Sequence, residues 1–218
     1  MDSALPIVAG IVGVAYGWFL PTWQQVLYSE PEYRSAPATG RTLWLLRIFG
    51  IAGAGAGLAL AFRSDFYDFG PALLTAAFVL VLVTISSTDF ERRRIPNKLT
   101  YPAFLVALAL CWAWPDRSVQ DILLGTAVGV AAAVLLVGLG VFFGGGGVGL
   151  GIGDGKLMIL MGAMTGWPGI LPALFYGVLG AGLVAVVLMV TKGRGATFSY
   201  GPYLAAGAAL VLLFPDLR

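Results

Sequence analysis

The sequence predicts an all-α, polytopic integral membrane protein with about eight transmembrane helices, and three observations carry that expectation. Hydrophobic residues fill 59% of the 218 positions. Charged residues make up only 11%, against about 25% in ordinary soluble domains. The apolar residues also fall into runs separated by polar or Pro/Gly-marked breaks, the pattern of a chain whose main solvent is lipid.

The first run, Leu5–Leu20, follows Asp2, and no Lys or Arg occurs before Arg34. A secretory signal peptide wants a basic start, so this run is expected to be a retained helix. Pro21–Arg41 is the longest polar stretch, with three prolines; it suits a loop with a short surface helix and is too small for a folded domain. The second run, Leu43–Phe62, carries Gly50, Gly53, Gly55 and Gly57, and the seventh, Ile170–Thr191, carries Gly177, Gly180 and Gly182. Small residues so spaced let helix backbones approach closely in lipid. The third run, Pro71–Thr88, ends at Asp89. The fourth, Leu99–Trp114, holds Cys111, the one cysteine of the chain, which is expected to pack rather than react. Ile122–Phe143, Lys156–Trp167 and Phe198–Phe214 complete the set. Several runs fall short of the ~20 residues that cross a bilayer unaided, and the sixth is the shortest. An acid beside it, Asp154, should therefore lie below the membrane surface, where irregular backbone must line a cavity or be covered by protein. The six tryptophans, Trp18, Trp23, Trp44, Trp112, Trp114 and Trp167, fall near run ends, as interface belts do. The expected organisation is one membrane-embedded domain over residues 1–218, with the first helix and a short cytoplasmic loop in 1–42 and the core in 43–218.

Basic residues set the orientation. With Arg92, Arg93, Arg94 and Lys98 placed in the cytoplasm, alternation brings Arg34, Arg41, Lys156, Lys192 and Arg194 to the same side. Arg47 can snorkel there, leaving Arg63, Arg117 and Arg218 on the other face. That is a positive-inside pattern. It also puts Asp89 and Asp154 at cytoplasmic helix ends, although neither was used to draw it. Asp2, Asp65, Asp68, Asp116, Asp121 and Asp216 fall on the opposite face and are expected to be solvated loop acids.

Several function classes drop out. The chain has no histidine, which removes histidine triads and histidine metal ligands. One cysteine makes neither an internal disulfide nor a cysteine zinc site. Gly144, Gly146 and Gly149 satisfy GxGxxG but follow a membrane helix rather than a strand, so no nucleotide site is expected. The Arg92–Arg94 run reads as a topology anchor with lipid headgroups as partners, and no module supports a nucleic-acid role.

Ionisable groups at the margin of a membrane helix are costly and call for a functional explanation. Asp89, in TISSTDFERRRIPNKLTYP, and Asp154, in GLGIGDGKLMIL, read as the catalytic pair of an aspartic protease. Two carboxylates that share a site cannot easily both ionise, so the pair holds one proton between them. The ionised member takes a proton from water as it attacks the peptide carbonyl; the other donates to the carbonyl oxygen. No metal or organic cofactor is needed. Gly151, Gly153 and Gly155 permit close backbone approach to an extended peptide, and Asp154 is placed to cap the helix that follows. Glu91 is a candidate supporting or substrate-contacting residue, with a solvated acid as its plainer reading. A rival class stays open from the residues alone, a secondary transporter that uses the two acids to carry protons or cations.

Asp89 followed by Ile95-Pro96-Asn97-Lys98-Leu99-Thr100, then GIGDGKL at 151–157 with Lys156, then YGPYLAAG at 200–207, resembles the type IV prepilin peptidases. These belong to the GxGD class of membrane aspartic proteases, and the motif order matches from about Pro71 to Leu213. The resemblance implies removal of a short basic leader from prepilin-like membrane precursors (pilin, pseudopilin or archaellin), at the cytoplasmic side of the cell membrane. It implies Asp89 and Asp154 as catalytic residues, Gly151 and Gly153 as motif glycines, and structural roles for Pro96 and the Gly201-Pro202 pair. Many members also carry paired CxxC motifs after the first helix and N-methylate the trimmed pilin. Pro21–Arg41 here has no cysteine, so peptidase activity is expected without the zinc module and without methyltransferase activity.

Overall fold

A computed structural model describes residues 4–29, 32, 34, 36–63, 66–143, 151–193 and 198–218. Asp2, Asp65, Arg194 and the glycines at 144, 146 and 149 lie outside the described residues. Among the described residues, regular structure is helical: α1 Leu5–Trp23, α2 Gly40–Ala61, α3 Phe69–Arg92, α4 Asn97–Ala109, α5 Val119–Phe143, α6 Ile152–Thr165, α7 Ile170–Lys192 and α8 Gly201–Leu213. Every apolar run is a helix. Short 3₁₀ turns extend α1 over Gln24–Leu27 and follow α4 and α8.

Five helices, α1, α2, α3, α5 and α7, are long and apolar enough to cross a membrane. The others are α4 with 13 residues, α6 with 14 and α8 with 13. At 1.5 Å per residue, α6 is about 21 Å long, well short of a hydrocarbon layer of roughly 30 Å. It meets little lipid, because the protein encloses it: Leu157, Met158, Leu160, Met161, Ala163 and Met164 are all fully buried. The protein thus provides the cover that a short helix with polar ends requires.

Glycines bring the backbones together. Gly17 of α1 abuts Gly50 of α2, Gly125 of α5 abuts Gly162 of α6, and Gly207 of α8 packs on Ala173 and Gly177 of α7. Of the glycines expected to pack, Gly182 faces open space. Helix α3 lies between α2 and α8 and contacts both, while α2 and α8 scarcely touch each other.

Helix α3 continues four residues past the predicted Thr88, so Asp89 sits in its last turn. The turn closes through the Arg93 amide, which donates to the Asp89 carbonyl at 2.8 Å. Arg93 itself is left-handed, with φ 53° and ψ 43°, a conformation that ends a helix and reverses the chain. The reversal leads directly through Pro96, whose φ of −73° opens α4.

At the other end, Arg117 is buried and donates to the Met164 carbonyl and, at 3.3 Å, to the Tyr67 hydroxyl. Burial pulls its guanidinium down to about 10, so it stays cationic at neutral pH. Arg218 pairs with Asp116 and donates to Tyr67 at 3.1 Å. Asp116 is an exposed loop acid, as expected, and two arginines also bind its carboxylate. Trp114 departs from expectation. It is 1% exposed, donates to Thr75 at 3.1 Å and stacks on Phe78; a buried indole N–H needs such a partner. Trp112, 73% exposed, has the position of a belt residue.

Candidate active site

Asp89 comes from the last turn of α3 and Asp154 from the first turn of α6. Residues 89 and 154 sit at the same end of the bundle, opposite the Arg117–Asp116–Arg218 cluster beside the α6 C-terminus. Three observations bring them together. The charge of Asp154 acts on the Asp89 carboxyl. Gly201, at the start of α8, donates its amide to Asp89 Oδ2 at 3.1 Å. Its neighbour Tyr200 feels the charge of Asp154, and burial with that charge pushes its phenol up. The start of α8 is therefore a common neighbour of both acids.

Asp89 is only 5% exposed. Besides the Arg93 amide, its carbonyl accepts the Ser199 hydroxyl at 2.9 Å. The side chains of Thr84, Ser86 and Thr88 donate back to carbonyls of the preceding turn, which is how hydroxyls are tolerated in a buried helix. Asp154 is half-buried. It stands at the third position of α6 rather than at its cap: the helix begins at Ile152, four residues before the predicted start. Its Oδ2 accepts the amide of the cap residue Gly151 at 2.9 Å. Glycine has no side chain to return that bond, so only half of a capping box forms.

The supporting candidates are placed as follows. Gly151 and Gly153 line a pocket of ≈ 470 Å³ together with Tyr28, Arg93, Pro96 and Lys156. Neither aspartate lines it; it opens beside them. Gly153 faces Ile95 of the α3–α4 turn, and Gly155 is buried in the first turn of α6. Lys156 donates to Asn97 at 2.9 Å and lies 5.7 Å from the Tyr101 ring centre. Pro96 is buried, and its carbonyl accepts the Thr100 hydroxyl at 3.0 Å.

Glu91 is not a solvated acid. Its side chain is 3% exposed. It accepts from Gln24 at 2.6 Å, Gln25 at 3.1 Å and Tyr28 at 2.6 Å, which ties the turn after α1 to the end of α3. Ser87 donates to Gln24 at 2.7 Å and extends the network. Burial and then the bond to Glu91 push the Tyr28 phenol up, so it remains a donor. Sequence reasoning missed Gln24, Gln25 and Tyr28 altogether. Glu91→Ala is expected to destabilise the protein by about 3 kcal/mol, since it strands buried donors; thermal unfolding in detergent measures it, and a change below about 0.5 kcal/mol would refute the clamp.

Gly201 has a closer role than the structural one expected. A Cβ there would lie 2.7 Å from Asp89 Oδ2 and 3.1 Å from its Cγ. Gly201→Ala is therefore expected to displace the carboxylate and to lower any activity that depends on Asp89 about tenfold or more, with the unfolding midpoint little changed. Full activity in this variant would show that the carboxyl does not need its present position.

Five helices long and apolar enough to cross a membrane, with two acids at one end of the bundle, define the class as a multi-pass membrane protein. The chain belongs to the type IV leader peptidase family, whose model matches residues 76–188, a stretch that includes both aspartates. It is similar to a Stutzerimonas stutzeri protein described as a prepilin leader peptidase/N-methyltransferase, 31% identical over 155 residues that cover 69% of this chain and 53% of that protein. An Escherichia coli K12 protein of the same description is 29% identical over 158 residues, 71% of this chain and 70% of its own length. The chain thus spans about half the length of the first relative. No solved structure matches it.

Proposed function

We propose that this chain is an aspartic endopeptidase of the cell membrane that removes the leader from prepilin-like precursors at the cytoplasmic face. The observation that supports this best is the placement of Asp89 and Asp154, 65 positions apart in sequence, at the same end of the bundle, the end that bears Arg92, Arg93, Arg94, Lys98 and Lys156. Positive residues mark the cytoplasmic side, so the carboxylates open toward that compartment. One carboxyl activates water, the other protonates the carbonyl oxygen, and the proton passes to the leaving amine. Residues 1–218 act as one domain, in which the first helix is held to the core by Glu91.

Methyl transfer is not part of the proposal, although the relatives' descriptions include it. The support is that Pro21–Arg41 contains no cysteine. Transport is the less favoured reading: the acids lie at one end of the bundle, whereas coupling sites of transporters sit near the membrane midplane.

The test is to incubate the purified protein in detergent with a precursor that has a short basic leader, a glycine and an apolar helix. Mass spectrometry should show one new N-terminus after that glycine. An uncut precursor would overturn the proposal.

A further inference from the structure

Between α2, α3 and α8 runs an apolar groove of ≈ 350 Å³. Helix α3 makes its floor with Val79, Leu82, Val83 and Ser86. That three- and four-residue spacing is one face of a helix, and the next position on the same face is Asp89. The walls converge on the same point. On α8 the lining starts at Pro202 and continues through Ala206 and Ala209, and the residue before Pro202 is Gly201, whose amide holds Asp89 Oδ2. On α2 it starts at Phe49, which meets Phe90 edge to face at 5.1 Å. The groove therefore starts within one turn of Asp89, which does not itself line it, and runs down into the membrane to a far end at Leu213 and Phe214. Twelve residues of α8 separate its ends, about 18 Å of helix.

We propose that this groove seats the apolar transmembrane helix of the precursor, so that the residue where that helix ends lies beside Asp89. The inference rests on the proposed peptidase reading and adds where the substrate binds. The chemistry of the occupant follows from the setting. Apolar walls at this depth accept only an apolar partner, and a polypeptide there must satisfy its own backbone hydrogen bonds, which leaves a helix. The volume takes the side chains along one ridge of a helix rather than a whole helix. Ala56 and Ala206, on opposite walls, are both exposed, and such small side chains let an incoming backbone approach. A lipid chain fits the walls too, but it would carry no bond to the carboxylate to be cut.

The test uses the full chain in lipid nanodiscs. Ala206→Trp fills the groove from an exposed position without entering the packed core. It should raise KM for the full precursor at least tenfold with little change in kcat. Cutting of a soluble peptide that spans the cleavage site but lacks the apolar helix should be unaffected. In a second experiment, a photo-crosslinker at position 206 in the Asp89→Asn background should capture the precursor through its apolar helix. An unchanged KM for the full precursor, equal losses on both substrates, or crosslinks to lipid alone would overturn the proposal. Precursor crosslinked at 206 by a wild-type chain that never cuts would uphold the groove and reject the peptidase reading instead.

Discussion

Asp89→Asn and Asp154→Asn should each lower precursor cleavage by roughly 10³-fold or more while leaving the protein folded, because each amide keeps the shape and loses the proton chemistry. General acid–base groups contribute about 10² to 10⁴ each, and in the proposed mechanism every step uses both carboxyls. The structural cost is small for a stated reason. Each aspartate accepts a backbone amide, Gly201 for Asp89 and Gly151 for Asp154, and an asparagine side-chain oxygen accepts the same bond. The unfolding midpoint should thus stay within a few degrees of wild type. Removing one carboxyl also ends the electrostatic coupling between the two, so the double variant should be no worse than either single one, as expected of groups that act as a unit. A variant that retains more than a tenth of the rate would remove that residue from the catalytic pair.

The helices were legible because lipid demands long apolar runs, and each of the eight runs became a helix. Their ends were less so. Asp154 and Lys156 look like loop residues beside a greasy segment, yet the first turn of a helix welcomes an acid, and α6 begins at Ile152. Asp89 looks like the residue after a helix, yet α3 runs on to Arg92 and is ended by the left-handed Arg93. That both acids share one end of the bundle was legible through charge: a count of Lys and Arg put them on one face without reference to either. The Glu91 clamp was not. Its partners, Gln24, Gln25 and Tyr28, lie 63 to 67 positions away in a polar loop, and neither periodicity nor charge pairs residues across that distance. Gly201 was hidden for a related reason, since its contribution is a backbone amide that any residue type possesses.

The glycine contacts between helices give the largest expected effect on folding. Gly162→Leu should leave little folded protein. A Cβ at 162 would lie 2.8 Å from the Gly125 carbonyl carbon and 2.9 Å from Thr126 Cα. Those atoms are backbone of α5 and have no rotamer to escape into. Helices α5 and α6 would have to separate, and α6 is enclosed on its other sides by α4, α7 and α8. Overpacking of an ordinary core costs about 1–3 kcal/mol; with backbone on both sides and no lipid to yield, a loss above roughly 4 kcal/mol is expected, near the whole stability of many proteins. Gly182→Leu is the control, because a Cβ there meets nothing within 4 Å; its effect should stay within about 0.5 kcal/mol. Folded yield and unfolding midpoint in detergent measure both. The comparison also bears on the site, since α6 carries Asp154 on its first turn. If Gly162→Leu folds normally and cuts normally, then close α5–α6 packing does not position that carboxylate. If it loses fold and cleavage together while Asp154→Asn loses cleavage alone, the packing and the chemistry of α6 are separable, with the glycine setting the place and the acid acting there.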